Sequence, residues 1–542
     1  MTRPHRSTRR GTLGELLEYI APLEALDSEQ ILSWPPDVFA LVGTVLHCTG
    51  AYTCVTRDWP PSQKSLHTWC QDIVALGRTW RRGWRLKRRA APPRPVAAWW
   101  HNVVERATTP LSSVPLDEEL CHALVQLIAA ADEAAIGVGI PPLGDMFEQY
   151  AAYLLHGVGD APSTLCTPLI DPEKVRVLPK LHTTETGLSF RSMSHNLALV
   201  PLRDVVPVWR QAPFKTEVHT MNILLVPWPK QVVPNQFAPA PRERLRRAWM
   251  PPEFGLFQYT PARAHGNLIT HLRSLLIRAE QVSGGIDMVV FPELSLSLAQ
   301  YESVQRLLAK ERRETILIAG VCEPARNAQA PSRNYVAIHI SSPALHSENF
   351  QRKHHRWKLD RDQVIQYGLG GRLNPMEPVT RGWWEDCETG PRQLFFVATS
   401  AWLTFCALVC EDLARQDPVA ELIRSVGPNL VVALLMDGPQ LPSRWPGRYA
   451  SVLADDPGCS VLTLTSAGMM RLSRPRVGTP ASTAVALWKD AKQKDAVPIE
   501  LPKDADGIIL SLAGDRSEEF TADGRRDEAM AAFPIFAGVH AV

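Results

Sequence analysis

Three short segments carry residue types that could together form a hydrolytic site. Cys410 ends the apolar run Trp402-Leu-Thr-Phe-Cys-Ala-Leu-Val-Cys410 and is followed by Glu411 and Asp412. A buried strand that stops on a cysteine leaves the thiol at a sheet edge, where a ligand can reach it. A nearby base or cation would then favour the nucleophilic thiolate. Glu293 closes Val289-Val-Phe-Pro-Glu293. A carboxylate at such a strand end, partly shielded by apolar neighbours, has a raised pKa and can serve as a general base. Lys353 lies in Phe350-Gln-Arg-Lys353-His354-His355, where a held ammonium can stabilise an oxyanion or a thiolate. Each segment also has a plainer explanation by itself: a solvated loop glutamate, a basic turn, a small buried core cysteine. Cys406, four residues before Cys410, is read as a core cysteine of that kind.

The elements that must position these residues follow from hydrophobic periodicity. From about residue 218 onward, short β-branched runs alternate with amphipathic stretches. Strands are predicted at 221–227, 286–291, 315–320, 335–340, 394–397, 403–409, 430–435 and 460–465, with a helix at 267–282. Such alternation predicts an α/β domain with helices covering a sheet. Residues 1–215 read as a mostly helical domain of unassigned role, with helices predicted at 12–20, 116–128 and 146–155 and proline-rich breaks near 60 and 92–95. Residues 491–542 are weakly patterned and read as a C-terminal extension.

Glu, Lys and Cys in that order, each just after an apolar run and with matching strands between, resemble the nitrilase, or carbon–nitrogen hydrolase, superfamily over about residues 219–490. Phe291-Pro292-Glu293 is similar to the family's glutamate motif. Arg352-Lys353-His354-His355 is similar to its lysine motif, in which a histidine often stands two positions after the lysine. Cys410-Glu411-Asp412 is similar to the nucleophile motif of glutamine-hydrolysing members. The stretches 434–440, 448–454 and 461–468 resemble the strand and loop, helix and strand that follow the cysteine.

The resemblance implies a four-layer α-β-β-α sandwich and a thioester mechanism with no metal or organic cofactor. Cys410 would attack an amide or nitrile carbon, an amide being favoured by the Cys-Glu-Asp form. Glu293 would carry the proton, and Lys353, with the backbone N–H of Glu411, would hold the oxyanion. A homo-oligomer is also implied. Between Lys353 and Cys410 the chain is longer than is usual in the family and contains Trp357-Lys358-Leu359-Asp360, Tyr367-Gly-Leu-Gly-Gly and Trp383-Trp384-Glu385. This insertion is expected to cover the pocket. It leaves Lys358 as a second candidate lysine, and Asp360, Asp362, Gln363 and Glu377 as alternatives for a second acidic-site residue.

Composition sets the remaining bounds. The chain has 542 residues, enough for two or three domains, 45% hydrophobic content and a net charge of +2, so no overall field points to nucleic acid or membrane. Ten cysteines without a CxxC pair or zinc spacing argue against disulfides and structural metal. No apolar stretch reaches membrane-span length and no signal-like segment opens the chain, so the cytoplasm is the expected location. Residues 78–89, RTWRRGWRLKRR, hold seven basic residues and two tryptophans. They read either as a polyanion surface from Arg78 to Arg89, with Trp80 and Trp84 stacking, or as a solvated helix face whose tryptophans pack inward. Two competing functions stay open. One is a nitrilase-like scaffold without turnover, for which the insertion and 434–440 also faintly resemble domains found beside reverse transcriptases in bacterial defence. The other is a papain-like protease, weakened because His540 is the only histidine after Cys410.

Overall fold

A computed structural model describes residues 11–27, 30–57, 59–61, 65–86, 91–141, 164–167, 169–184, 187–201, 204–214, 219–247, 253–261, 268–311, 314–342, 345–374, 381–473, 482–527 and 531–542. The helix predicted at 146–155 lies outside the described residues. The fold is mixed α/β.

The N-terminal part is built from α1 (Leu13–Ile20), α2 (Leu23–Asp27), α3 (Pro35–Thr49), α4 (Leu66–Leu86), α5 (Arg94–Glu105) and α6 (Glu118–Ala134). The starts of α1 and α6 are capped by side chains. The Thr12 hydroxyl accepts from the Glu15 N–H while the Glu15 carboxylate accepts from the Thr12 N–H, and Asp117 accepts from the Leu120 N–H at the head of α6. Each bond satisfies an orphan donor of a first turn. The helices share one apolar core with a hairpin of β1 (Val175–Pro179) and β2 (Leu197–Pro201). Trp80 and Trp84 of α4 are part of this core, and their indole N–H groups donate to the Leu32 and Ala134 carbonyls. Both tryptophans therefore face inward, and neither is free to stack on a nucleobase. Residues 87–89 of the basic stretch lie outside the described residues.

Two seven-stranded sheets follow. The first runs β10-β9-β8-β7-β4-β19-β20, where β4 is Thr220–Leu225, β7 Met288–Ser297, β8 Thr315–Glu323, β9 Arg333–Ser342, β10 Leu345–Arg352, β19 Ile508–Ser517 and β20 Ala531–Ala541. The second runs β18-β17-β16-β15-β14-β13-β3, where β3 is Val206–Gln211, β13 Gln393–Ser400, β14 Leu403–Val409, β15 Leu430–Leu435, β16 Ser460–Thr465, β17 Ala484–Lys489 and β18 Val497–Glu500.

Side chains of the first sheet alternate between two cores, as the period of two demands. Ile223, Met288, Val290, Ile316, Ile318, Val336 and Ile338 join the core that also holds the second sheet. Leu224, Val289, Leu317 and Ala337 join the core formed with the helices Leu268–Ser283 and Leu298–Glu311. The second sheet is apolar on both faces because the helices Glu421–Val426 and Trp445–Asp455 cover its far side. That is why 405–409 and 430–435 read as unbroken apolar runs. Buried Gln351 of β10 ties the sheets together: its Nε2 donates to the Ala407 carbonyl at 2.8 Å and its Oε1 accepts from the Phe395 N–H at 3.0 Å.

The sequence-stretch ends take part in these sheets. β3 lies N-terminal to the division expected at 215–219 and pairs parallel to β13, while β19 and β20, beyond residue 490, complete the first sheet. The insertion before Cys410 supplies β11 (Lys358–Leu359) and β12 (Gly382–Glu385) to a four-stranded sheet β11-β12-β6-β5, completed by β5 (Phe237–Pro239) and β6 (Phe254–Tyr259).

Candidate active site

Glu293 is held by a bulge. β7 and β8 pair Phe291 with Ala319 and then resume at Leu296 with Val321, so residues 292–295 face Gly320 alone. A Cβ at Gly320 would stand 2.2 Å from the Pro292 carbonyl oxygen and 2.5 Å from the Glu293 Cα. Only glycine permits this close approach. Leu294 next to it takes φ +53°, unusual for a branched residue. The bulge interrupts the ladder and turns the Glu293 carboxylate into the buried interior, where it is 3% exposed.

Lys353 follows β10, its N–H donating to the Asn334 carbonyl at 3.0 Å. Its fully buried ammonium donates to Glu293 Oε1 at 2.7 Å and to Glu385 Oε2 at 2.6 Å. Asn334 spans the same two carboxylates, with Nδ2 donating to Glu293 Oε1 and Glu385 Oε1 at 2.8 Å each. Glu385 is thus the acidic partner that the sequence left open. It ends β12 and also accepts from the Trp357 N–H at 3.2 Å. Asp360 instead caps the helix Arg361–Gln366, Asp362 is exposed, Gln363 completes that cap, and Glu377 lies outside the described residues. Lys358 is exposed, with its ammonium over the Phe254 and Trp384 rings, and does not join the Glu293 pair.

Cys410 sits at the turn between β14 and the helix Glu411–Ala414, with φ +48° and ψ −107°. The turn is pinned on the strand side by its N–H donating to the Leu434 carbonyl at 2.8 Å. A non-glycine residue in this conformation is strained and persists because its surroundings fix it. Asp412, fully buried, fastens the turn to the lysine loop. It accepts from the His354 N–H at 3.1 Å and from the His355 N–H and Nδ1 at 3.0 Å each. Cys406 is buried in the inter-sheet core, as expected.

The electrostatics of the group are set by burial. Burial raises the Glu293 carboxyl, Lys353 pulls it back, and Glu385 raises it further, so it stays above the ordinary carboxylate range. Burial alone would lower Lys353, but Glu293 and Glu385 outweigh it and hold the ammonium well above its usual value. The Cys410 thiol is pushed well up, first by burial and then by Glu293, against the opposing pull of Lys353. Both causes favour the protonated thiol over the thiolate. Glu293 Oε2 is buried with no partner among the described residues, so it has capacity to accept a proton. Among the described residues no cluster of His, Cys, Asp and Glu could hold a metal ion, and no helix is long and apolar enough to cross a membrane.

The insertion shares a core with residues flanking the site. Leu294, Met436, Trp357, Tyr367 and Trp383 belong to one apolar cluster. Leu294 adjoins Glu293, and the Met436 N–H hydrogen-bonds the Cys410 sulfur.

No protein-family model and no curated protein matches the chain. Among solved structures, the glutamine-dependent NAD+ synthetase from Acinetobacter baumannii is 12% identical with a TM-score of 0.31, over 60% of this chain and 48% of that one. The chain thus spans about half the length of the synthetase. A Saccharomyces cerevisiae member of branch 10 of the nitrilase superfamily is 13% identical with a TM-score of 0.31, over 55% of this chain and 92% of that one. A CN-hydrolase superfamily protein from Xanthomonas campestris, with an arsenic adduct in its active site, is 13% identical with a TM-score of 0.26, over 53% and 92%. The solved structures that this chain resembles are members of the nitrilase superfamily, and the likeness runs over about half of the chain.

Proposed function

We propose that the protein is a thiol-dependent hydrolase of a non-peptide C–N bond, an amide rather than a nitrile, on a four-layer α-β-β-α sandwich formed by the two sheets and their covering helices. The reading is carried by one observation: a buried ammonium wedged between two carboxylates beside a strained cysteine. In the first half-reaction the Cys410 proton passes to Glu293 as sulfur attacks the amide carbon. Lys353 and the Glu411 N–H stabilise the tetrahedral oxyanion. The C–N bond then breaks, and Glu293 returns the proton to the leaving nitrogen. In the second half-reaction Glu293 takes a proton from water, the hydroxide adds to the thioester carbon, and the C–S bond breaks with the proton restored to sulfur. Glu385 keeps Lys353 charged and aimed. No step needs a metal or organic cofactor.

Intact-protein mass spectrometry with a panel of amides, with ammonia release measured in parallel, tests this reading. The expected result is an acyl adduct that vanishes in Cys410→Ala. Ammonia release that survives in a folded Cys410→Ala variant would overturn the thiol mechanism, and the absence of both adduct and ammonia release with every amide would favour a scaffold role.

A further inference from the structure

The loop after β15 holds a second carboxylate that the proposed chemistry does not use. β15 runs parallel to β14 with Leu434 opposite Val409, so residues 436–438 emerge at the same sheet edge as Cys410. Met436 contacts the thiol through its backbone N–H, and Asp437 is the next residue. Asp437 is 4% exposed, and its two oxygens are treated unequally. Oδ1 accepts three bonds: from the Gly438 N–H at 2.7 Å, from Arg444 Nη2 at 2.8 Å and from the Tyr367 hydroxyl at 3.0 Å. Oδ2 is shielded from solvent and has no donor among the described residues.

The arrangement is built rather than incidental. A Cβ at Gly438 would come within 2.5 Å of Arg444 Nη1 and of Ser473 Oγ, so a side chain there would push Arg444 and Ser473 from their places. Arg444 is fixed a second time by donating to the Pro439 carbonyl at 3.0 Å. Tyr367 is supplied by the insertion, and Cys410 lies near enough for its charge, after that of Asp437, to act on the phenol. Tyr367 and Arg444 also line a cleft of about 290 Å³ together with Asp360, Asp362, Gln363 and Arg448. The same two side chains thus connect the buried carboxylate to the surface opening.

A buried carboxylate oxygen without a donor is costly, and the cost is recovered when a ligand supplies one. We infer that Asp437 Oδ2 receives a protonated amine of the substrate, so that the hydrolysed compound is an amide carrying an ammonium group a few bonds from the scissile carbonyl. Tyr367 and Arg444 are positioning residues: by saturating Oδ1 they aim Oδ2. The inference rests on Cys410 being the nucleophile.

The test uses two chloroacetamides of matched length on the full chain, one N-(3-aminopropyl) and one N-butyl, so that an ammonium replaces a methyl. In each, the Cys410 sulfur bonds to the methylene carbon, the C–Cl bond breaks, and the thiol proton leaves to Glu293 or solvent. Alkylation is read at the Cys410 peptide by mass spectrometry, with Cys410→Ser as the blank. The expected ratio of ammonium to butyl rates is on the order of 10 to 100, the worth of one charged hydrogen bond. It should fall toward 1 in Asp437→Asn. A wild-type ratio near 1 overturns the inference without needing any variant, and leaves the hydrolase reading intact. A high ratio that persists in folded Asp437→Asn also overturns it, by moving recognition to another acid. No labelling of Cys410 by either probe would overturn the nucleophile reading and this inference with it.

Discussion

Lys353 constrains the chemistry more tightly than the cysteine does. An ammonium with no exposed surface, bonded to Glu293 and Glu385, cannot leave its place without stranding two buried carboxylates, so it is a fixed positive charge. The same pairing makes Glu293 a base of adjusted strength, raised by burial and by Glu385 and lowered by Lys353. Glu293→Gln should lower kcat by about 10² to 10⁴, the usual worth of a positioned general base. The rate should climb with pH as Glu293 ionises, giving an acid limb above the ordinary glutamate value of 4.5. Glu385→Gln removes a negative neighbour, so Glu293 ionises more readily and the acid limb should move to lower pH. A pH–rate profile of the two proteins checks the direction, and an upward move would show that Glu385 does not act on Glu293 as its position implies.

At the scale of elements, the site depends on where strands stop. Glu293 and Cys410 were legible because each closes an apolar strand run, which sequence displays plainly, whereas Lys353 follows the largely polar strand Leu345–Arg352 and was legible through its Arg-Lys-His-His motif. Glu385 was not legible. Its strand is four residues long and finds its parallel partner, Phe254–Tyr259, more than a hundred residues earlier, and no local pattern reports so distant a pairing. The Pro292–Ser295 bulge was equally hidden, because it is a property of two strands: the signal is Gly320 on β8, not anything on β7. Among the last residues, 508–512 form a short apolar run broken only by Ser511, but β20 holds four alanines, a glycine and a proline, and it pairs with β19. Gly320→Ala tests the bulge directly. Its methyl would meet main-chain atoms, which cannot swing aside as a side chain can, so the Glu293 turn must move. The expected outcome is a loss of about 1–3 kcal/mol in denaturant unfolding together with slowed alkylation of Cys410. A variant with normal stability and normal alkylation would mean that the turn has more freedom than the contact distances allow.

For the whole molecule, buried charge decides how stability follows pH and how the ends of the chain are joined. Asp37 in α3 is fully buried and its carboxyl is pushed up from 3.8 to about 7 by burial, against the pull of hydrogen bonds from Thr167. Between those values the folded chain binds more protons at this site than the unfolded chain does, so folding stability must fall as pH rises through the window and level off above it. The contribution is on the order of 4 kcal/mol by linkage, taken as an upper figure. Comparing Asp37→Asn with the parent protein by thermal unfolding between pH 4 and pH 8 isolates it: the variant should gain on the parent as pH rises. A difference that is flat with pH would place the ionisation elsewhere.

Arg525 joins the C-terminal strands to the N-terminal helices. It is completely buried, and its guanidinium pairs with Asp523 at 3.1 Å, Asp132 at 3.0 Å and Glu133 at 2.8 Å, while also donating to the Ala129 and Met193 carbonyls. Asp132 in turn accepts from the backbone N–H groups of residues 195–197, so one cation holds α6, the loop before β2 and the turn leading into β20. Replacing a member of a buried ionic set is far more damaging than the net worth of the set, because the remaining charges keep their desolvation cost without compensation. Arg525→Met should therefore cost at least about 3–5 kcal/mol, and limited proteolysis should find the chain newly cleavable between residues 517 and 531. The double variant Arg525→Met with Glu133→Gln should regain part of that loss, since it removes one of the stranded charges. Equal instability in the single and double variants would show that the cluster acts through packing rather than through charge.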